Sequence, residues 1–131
     1  MPLRSRSERL MGTTITISLV DEQADYLLQG AFDLLKELEY RFNANSQESE
    51  LMEINYQAGI ASVKVHPDLF ELIALGLEHS LAPSSHLNIS IGPLIQTWRI
   101  GFADARLPEL NEIEAVLPLV DPHFIKLDPT S

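Results

Sequence analysis

The sequence contains no cysteine, and this absence removes several kinds of site at once. Disulfide bonds, thiolate nucleophiles and zinc sites with thiolate ligands are all excluded. Basic residues are also few, with 9 Lys and Arg against 19 Asp and Glu, which gives a formal net charge of −10. Because a nucleic-acid backbone is bound through clustered Lys and Arg side chains, this balance argues against nucleic acid as a partner.

Long apolar runs are missing too. No run approaches the roughly 18 to 20 residues that a transmembrane helix needs. Residues 1–10 are basic and polar, and the hydrophobic stretch after them alternates with threonine, unlike the apolar region of a signal peptide. A lipobox would require a cysteine. We therefore expect a cytoplasmic protein without a transmembrane segment, unless a leader has been removed.

Several common catalytic motifs are absent as well. No glycine-rich turn follows a predicted strand, so the fingerprint of a dinucleotide-binding doubly wound fold is missing. No G-x-S-x-G motif surrounds Ser84 or Ser85, which makes a serine nucleophile a poor hypothesis. The 4 histidines never stand three or four residues apart, so none forms a helical zinc-binding pair.

What the sequence does have is an alternation of predicted strands and helices. Its 131 residues suffice for one domain with a core, and 45% hydrophobic with 21% charged residues is an ordinary globular mixture. Period-two alternation predicts strands over residues 14–19, 61–65, 87–91 and 124–127. Helical spacing, caps and prolines predict helices over residues 27–42, 51–54, 67–77, 93–98 and 107–116. This order favours an α+β domain.

Local signals add detail to that assignment. Asp21 is the predicted N-cap of the first helix and Ser49 that of the second. The helix over residues 69–77 is apolar nearly all round, which is typical of a helix that another element covers. One local basic cluster is expected to form a solvated tail, and it consists of Arg4, Arg6 and Arg9.

Motifs in a fixed order extend over almost the whole chain. Residues 10–13 read LMGT before the first predicted strand, and residues 42–55 fit the pattern F-S-x-Y-x-x-x-S-E-L-x-x-x-N. Residues 87–102 fit F-D-x-T-x-G-P-L followed by W-x-x-G. Further matching positions follow at Pro108, Ile113 and residues 125–128. In this combination the chain resembles the N-terminal part of the FAD:protein FMN transferases, the ApbE family.

The resemblance implies both a fold and a reaction. The fold is ApbE-like (T-fold-like) and α+β, with helices packed on a mainly antiparallel sheet. The reaction is a Mg²⁺-dependent transfer of FMN from FAD to a Ser or Thr hydroxyl of an acceptor flavoprotein, with release of AMP. FAD is then a substrate, and the implied partners are FAD and the acceptor flavoprotein.

By the same resemblance, the residues that would contact FAD are Met11, Asn45, His86, Leu87 and Asn88. Two of them depart from the family pattern. Asn45 stands where the family has a ligand-stacking tyrosine, and an amide cannot stack as an aromatic ring does. Asn88 stands where many relatives have aspartate, so that a neutral amide replaces an anionic acceptor. The resemblance assigns no catalytic residue to this chain.

The matching motifs stop before the family's metal site. The glycine-rich aspartate segment and the later Asp and Thr metal ligands have no counterpart in residues 1–131. We therefore interpret the chain as the N-terminal part of one transferase domain, without metal ligands of its own, and expect it to be inactive alone. The rest of the domain, or a second copy in a homodimer, would cover the apolar helix over residues 69–77.

Two other functions remain open. A non-catalytic domain could bind FAD or carry flavin, and metal-ligating Asp and Thr residues in a longer chain would instead favour the transferase. An interaction module would dimerise through its apolar helix. Concentration-dependent sedimentation without flavin binding would support that last alternative.

Overall fold

The computed structural model describes residues 1–130. The chain forms two compact units, Met1–Val65 and His66–Ser131. Among the described residues, the first unit contains a β-hairpin and two α-helices, and the second contains three α-helices and two 3₁₀ turns. The predicted α+β class is therefore confirmed. No helix in residues 1–130 is both long enough and apolar enough to cross a membrane.

The first unit opens with an antiparallel hairpin made of β1 (Arg4–Leu10) and β2 (Thr13–Leu19), which confirms the strand predicted over residues 14–19. One face of β2 is half-buried and apolar, with Ile15, Ile17 and Leu19. The opposite face carries hydroxyls that hydrogen-bond across the strands, in the pairs Ser5–Ser18 (2.7 Å) and Ser7–Thr16 (2.6 Å). The alternation thus separates an inner apolar face from an outer polar one.

Helix α1 (Ala24–Phe42) packs against the hairpin and confirms the helix predicted over residues 27–42. Its buried apolar residues recur at helical spacing, at Ala24, Leu28 and Phe32. The predicted N-cap is wrong, because Gln23 occupies that position without a side-chain cap. The Asp21 carboxylate instead accepts a hydrogen bond from the Gln23 amide at 2.7 Å, in a turn before the helix.

The expected solvated tail is wrong as well, since its three arginines lie in β1: Arg4, Arg6 and Arg9. Arg6 shows how a strand of mostly polar residues can pack against α1. Its guanidinium lies 5.3 Å from the centre of the Phe32 ring and donates a 2.8 Å hydrogen bond to Gln29 Oε1. The arginine therefore contacts α1 where an apolar residue would be expected.

A loop over residues 43–49 joins α1 to helix α2 (Glu50–Gln57), as the turn composition predicts. Ser49 is the N-cap of α2, which confirms that prediction. Its hydroxyl accepts a hydrogen bond from the Met52 amide at 3.1 Å and donates one to the Asn43 carbonyl oxygen at 2.5 Å. The buried hydroxyl thus fixes both ends of the loop.

Three predicted strands do not form in the described residues, namely those over residues 61–65, 87–91 and 124–127. Within residues 1–130 the sheet consists of β1 and β2 alone. A strand needs a neighbour to take its backbone hydrogen bonds, and these segments have none here. They adopt irregular loops and turns, with Phe124 in a 3₁₀ turn.

The second unit begins with helix α3 (Pro67–Leu81), which confirms the helix predicted over residues 67–77 and extends it by one turn. Leu69 is almost completely buried. Leu72 and Leu75 instead leave 51% of their surface exposed. The described residues therefore cover the apolar surface of α3 only in part.

Helix α4 (Gly92–Trp98) starts at Gly92 with Pro93 in its first turn, as predicted. It ends at Arg99, which adopts a left-handed conformation with φ of 57°. The Arg99 guanidinium lies 4.1 Å from the centre of the Phe102 ring and donates to the Asp104 carboxylate at 3.2 Å. These contacts fix the turn that follows the helix.

Helix α5 (Leu110–Val116) lies within the helix predicted over residues 107–116. A capping box starts it, in which Glu109 and Glu112 each bond the other's backbone amide. Two 3₁₀ turns complete the described part of the unit, at Leu117–Leu119 and Pro122–Phe124.

Candidate functional site

Met11 occupies the two-residue turn of the hairpin. Both turn residues have positive φ, 54° at Met11 and 74° at Gly12, which matches the twist of the flanking strands. A methionine in this region is unusual and is held there by its surroundings. The Met11 amide donates a 3.1 Å hydrogen bond to Glu39 Oε2 on α1. The side chain of Met11 is about half exposed, at 45%.

Asn45 lies in the loop between α1 and α2 and is exposed. The Asn43 side-chain oxygen accepts a hydrogen bond from the Asn45 amide at 2.9 Å, which forms the turn. Arg41, itself 7% exposed, forms ion pairs with Glu37 on α1 at 3.0 Å and with Glu50 on α2 at 3.6 Å. These ion pairs connect the two helices that the loop joins.

An open depression of about 370 Å³ lies beside α1 and the end of β1, and we call it the hairpin–α1 depression. It is lined by Leu10, Lys36, Glu39, Tyr40, Asn43 and Ser46. Met11 and Asn45 each adjoin one of these lining residues in sequence. Met11 and Asn45 are thus sequence neighbours of lining residues, and neither is itself a lining residue.

Sequence reasoning missed the α1 side chains of this depression: Lys36, Glu39 and Tyr40. Lys36 and Glu39 belong to the charged side of an amphipathic helix, where such residues need no special explanation. Their spacing was the available signal, because residues three and four positions apart share one helix face. Together they offer an ammonium, a carboxylate and a phenol to a ligand.

The other predicted contacts, His86 to Asn88, lie in the second unit between α3 and α4. His86 and Leu87 are exposed. Asn88 is half-buried, and its Nδ2 donates a 2.7 Å hydrogen bond to the Val120 carbonyl oxygen. Its Oδ1 accepts from the Ser90 amide at 2.8 Å. The segment is therefore ordered by its own chain, and its contact with FAD stays a prediction, as it does for Met11 and Asn45.

Three acids of the second unit, Glu112, Asp121 and Asp128, have lowered pKa values for local reasons, and at Asp128 the cause is the hydrogen bond from the Thr130 hydroxyl. The hydrogen bond from the His123 amide lowers the pKa of the Asp121 carboxyl. The Arg106 guanidinium lowers the pKa of the Glu112 carboxyl through hydrogen bonds of 2.7 Å and 3.0 Å. Each shift stems from a turn or an ion pair, and none points to an acid–base catalyst.

Residues 1–130 contain no cluster of three or more His, Asp or Glu side chains that could hold a metal ion. A Mg²⁺ ion takes its ligands from carboxylates, phosphates and water. The described residues therefore do not fit a complete protein site for Mg²⁺.

The chain is similar in sequence to known proteins. The sequence model of the ApbE family matches residues 11–131. An FAD:protein FMN transferase of Klebsiella pneumoniae (strain 342) is 36% identical over 127 residues, which are 97% of this chain and 40% of that protein. An FAD:protein FMN transferase of Treponema pallidum (strain Nichols) is 28% identical over 121 residues, which are 89% of this chain and 33% of that protein.

The fold is shared with a solved structure. The crystal structure of the ApbE protein from Thermotoga maritima matches 98% of this chain with a TM-score of 0.84, at 17% sequence identity. The match covers 42% of that protein. The chain thus spans 40% and 33% of the two curated relatives and a similar share of the solved fold.

Proposed function

This chain belongs to the ApbE family, and from that premise we propose that it forms part of an FAD:protein FMN transferase. The observation that carries the proposal is the family match, which begins at Met11 in the hairpin turn and continues to residue 131. The turn is held in a left-handed conformation beside the hairpin–α1 depression, which suits a position that contacts a ligand.

The proposed reaction transfers a phosphoryl group. The hydroxyl oxygen of a Ser or Thr in the acceptor flavoprotein attacks the phosphorus on the FMN side of the FAD pyrophosphate. A phosphoester bond forms, the bond between that phosphorus and the bridging oxygen breaks, AMP leaves with the bridging oxygen, and the hydroxyl proton passes to water. When bound, Mg²⁺ supplies charge neutralisation at the pyrophosphate. No step is assigned to Mg²⁺ held by these residues, because they form no complete site for it.

The chain's own part in this reaction is to bind FAD. We assign the hairpin–α1 depression to one end of FAD, with Met11 and Asn45 each next in sequence to a lining residue. Tyr40 is 62% exposed and offers a ring surface for stacking, which the Asn45 amide lacks. The Lys36 ammonium forms an ion pair with Glu8 at 3.3 Å, and it would bind a phosphate by exchanging that partner. His86 and Leu87 form a second, separate exposed contact segment.

The test is a titration of the purified 131-residue chain with FAD, followed by quenching of flavin fluorescence, with and without Mg²⁺. A parallel reaction with an acceptor flavoprotein is analysed for protein-bound flavin after denaturing electrophoresis, with the Klebsiella pneumoniae relative as the positive control. We expect saturable FAD binding without transfer. An absence of binding would contradict the proposal, and transfer by the chain alone would contradict its restriction to binding.

A second function is favoured by the exposed leucines of α3. Leu72 and Leu75 lie one turn apart and are each 51% exposed, which suits a helix that a protein partner covers. Sedimentation velocity over a range of chain concentrations tests this interaction function. Self-association that Leu72→Glu abolishes, in a chain that binds no FAD, would favour it over the transferase proposal.

A further inference from the structure

The side chain of Asn88 connects two segments that are far apart in sequence. Its Nδ2 donates to the Val120 carbonyl oxygen at 2.7 Å, across 32 positions of the chain. Its Oδ1 accepts from the Ser90 amide at 2.8 Å and closes a local turn. One amide therefore supplies a donor to the region between the two 3₁₀ turns and an acceptor to its own loop.

The neighbouring residue strengthens this attachment. The Ile89 amide donates a 3.0 Å hydrogen bond to the Ser80 hydroxyl on α3. That hydroxyl in turn donates to the Gly76 carbonyl oxygen at 2.7 Å. Ile89 also lies directly against Gly76, where an added Cβ would approach its Cγ2 to 2.6 Å. Residues 88 and 89 are thus the points at which the loop is attached to the rest of its unit.

The Val120 contact requires a hydrogen-bond donor at position 88. A carbonyl oxygen accepts hydrogen bonds and donates none, so its partner must carry a proton. An ionised carboxylate at position 88 would place a negative oxygen against that carbonyl and would lose the bond. The half-buried setting of both residues makes an unpaired acceptor costly there.

We propose that Asn88 is a positioning residue, which fixes the adjacent exposed pair His86 and Leu87 by bonding the Val120 carbonyl oxygen. This inference rests on the proposed FAD-binding function. It assigns to the amide at position 88 a role that a carboxylate at the same position cannot perform.

The first measurement needs no ligand. Hydrogen–deuterium exchange at neutral pH compares the unaltered chain with Asn88→Asp, Asn88→Ala and the control Asn111→Asp, which adds the same charge at an exposed position of α5. We expect faster exchange confined to residues 82–91 and 117–124 in both Asn88 variants. Unchanged exchange in these two segments would overturn the proposal, and so would faster exchange over the whole unit, since that indicates general destabilisation.

The second measurement is an FAD titration of the same four proteins, well below their unfolding temperatures. We expect Asn88→Asp and Asn88→Ala to weaken FAD binding by about tenfold and Asn111→Asp to leave it unchanged. Equal or tighter binding by Asn88→Asp would overturn the positioning role and indicate direct contact with FAD. If the unaltered chain binds no FAD, the proposed function fails and the positioning role fails with it. The exchange data still show in that case whether Asn88 bonds the Val120 carbonyl oxygen.

Discussion

The Met11 amide donates a 3.1 Å hydrogen bond to the Glu39 carboxylate, which joins the hairpin turn to α1 across 28 positions of the chain. The turn residue that starts the family match is therefore held by a side chain on the helix beside it. Glu39 also lines the hairpin–α1 depression. One carboxylate thus connects the backbone conformation of the turn with the shape of the candidate ligand site.

Replacement of Glu39 tests this connection. We expect Glu39→Ala to lower the free energy of unfolding by about 1 kcal/mol and to weaken FAD binding, because the Met11 amide loses its partner. Glu39→Gln keeps an acceptor oxygen and is the matched control, expected to stay close to the unaltered chain. Urea unfolding and FAD titration measure the two effects. Equal losses in both variants would show that the charge matters and the hydrogen bond does not.

Tyr40 provides a test of the depression itself. Its ring is 62% exposed in the depression, and stacking of a base on an aromatic ring contributes about 1–3 kcal/mol. Tyr40→Ala should therefore weaken FAD binding by about tenfold or more, whereas Tyr40→Phe should preserve it. Tyr26→Ala is the control, because Tyr26 is similarly exposed but lies at the other end of α1. An equal loss in both alanine variants would exclude a specific role for Tyr40.

The sequence predicted those elements whose signals are local. Ser49 as a cap and Pro93 in the first turn of α4 need only neighbouring residues to act, and both predictions are confirmed. Residues 61–65 and 87–91 alternate as strands do, but a strand also needs a neighbour, which the described residues do not supply. The strand that contains Arg6 shows the converse. Strand β1 consists mostly of polar residues, and it forms because β2 pairs with it.

The candidate site could be predicted only in part, for a similar reason. The resemblance identified Met11 and Asn45 from their motifs, and each stands next in sequence to a residue that lines the hairpin–α1 depression. Lys36 and Tyr40 belong to no motif, and their relation to that depression depends on how α1 packs against the hairpin. Asn88 was assigned to ligand contact, but its bond to Val120 depends on a contact across 32 positions that no local pattern contains.

Glycines at two positions should respond in opposite ways to alanine. Gly12 has φ of 74°, and an alanine in the left-handed region costs about 1–2 kcal/mol, although its Cβ would meet no atom. Gly30 lies inside α1 with equally open surroundings, so alanine there should stabilise the chain by about 1 kcal/mol. Thermal or urea unfolding compares the two. A loss of stability in Gly30→Ala would contradict the helical conformation at that position.

Gly76 tests how closely the loop approaches α3. Helix propensity alone would make Gly76→Ala stabilising by about 1 kcal/mol, as at Gly30. The added Cβ would however lie 2.6 Å from Ile89 Cγ2, and that methyl moves only by rotation about χ1, which branching at Cβ restricts. Overpacking of this kind costs about 1–3 kcal/mol, so we expect a net loss of stability.

A double-mutant cycle separates the two contributions at Gly76. Ile89→Ala removes the methyl group that an added Cβ would meet, and in that background Gly76→Ala should become stabilising. Urea unfolding of the four proteins gives the coupling free energy, which we expect to be about 1–3 kcal/mol in favour of the double variant. If the two changes are additive, the loop does not lie against α3 in solution, and the attachment at residues 88 and 89 is lost with it. The cycle therefore tests, by a route independent of any ligand, the packing on which the position of His86 and Leu87 depends.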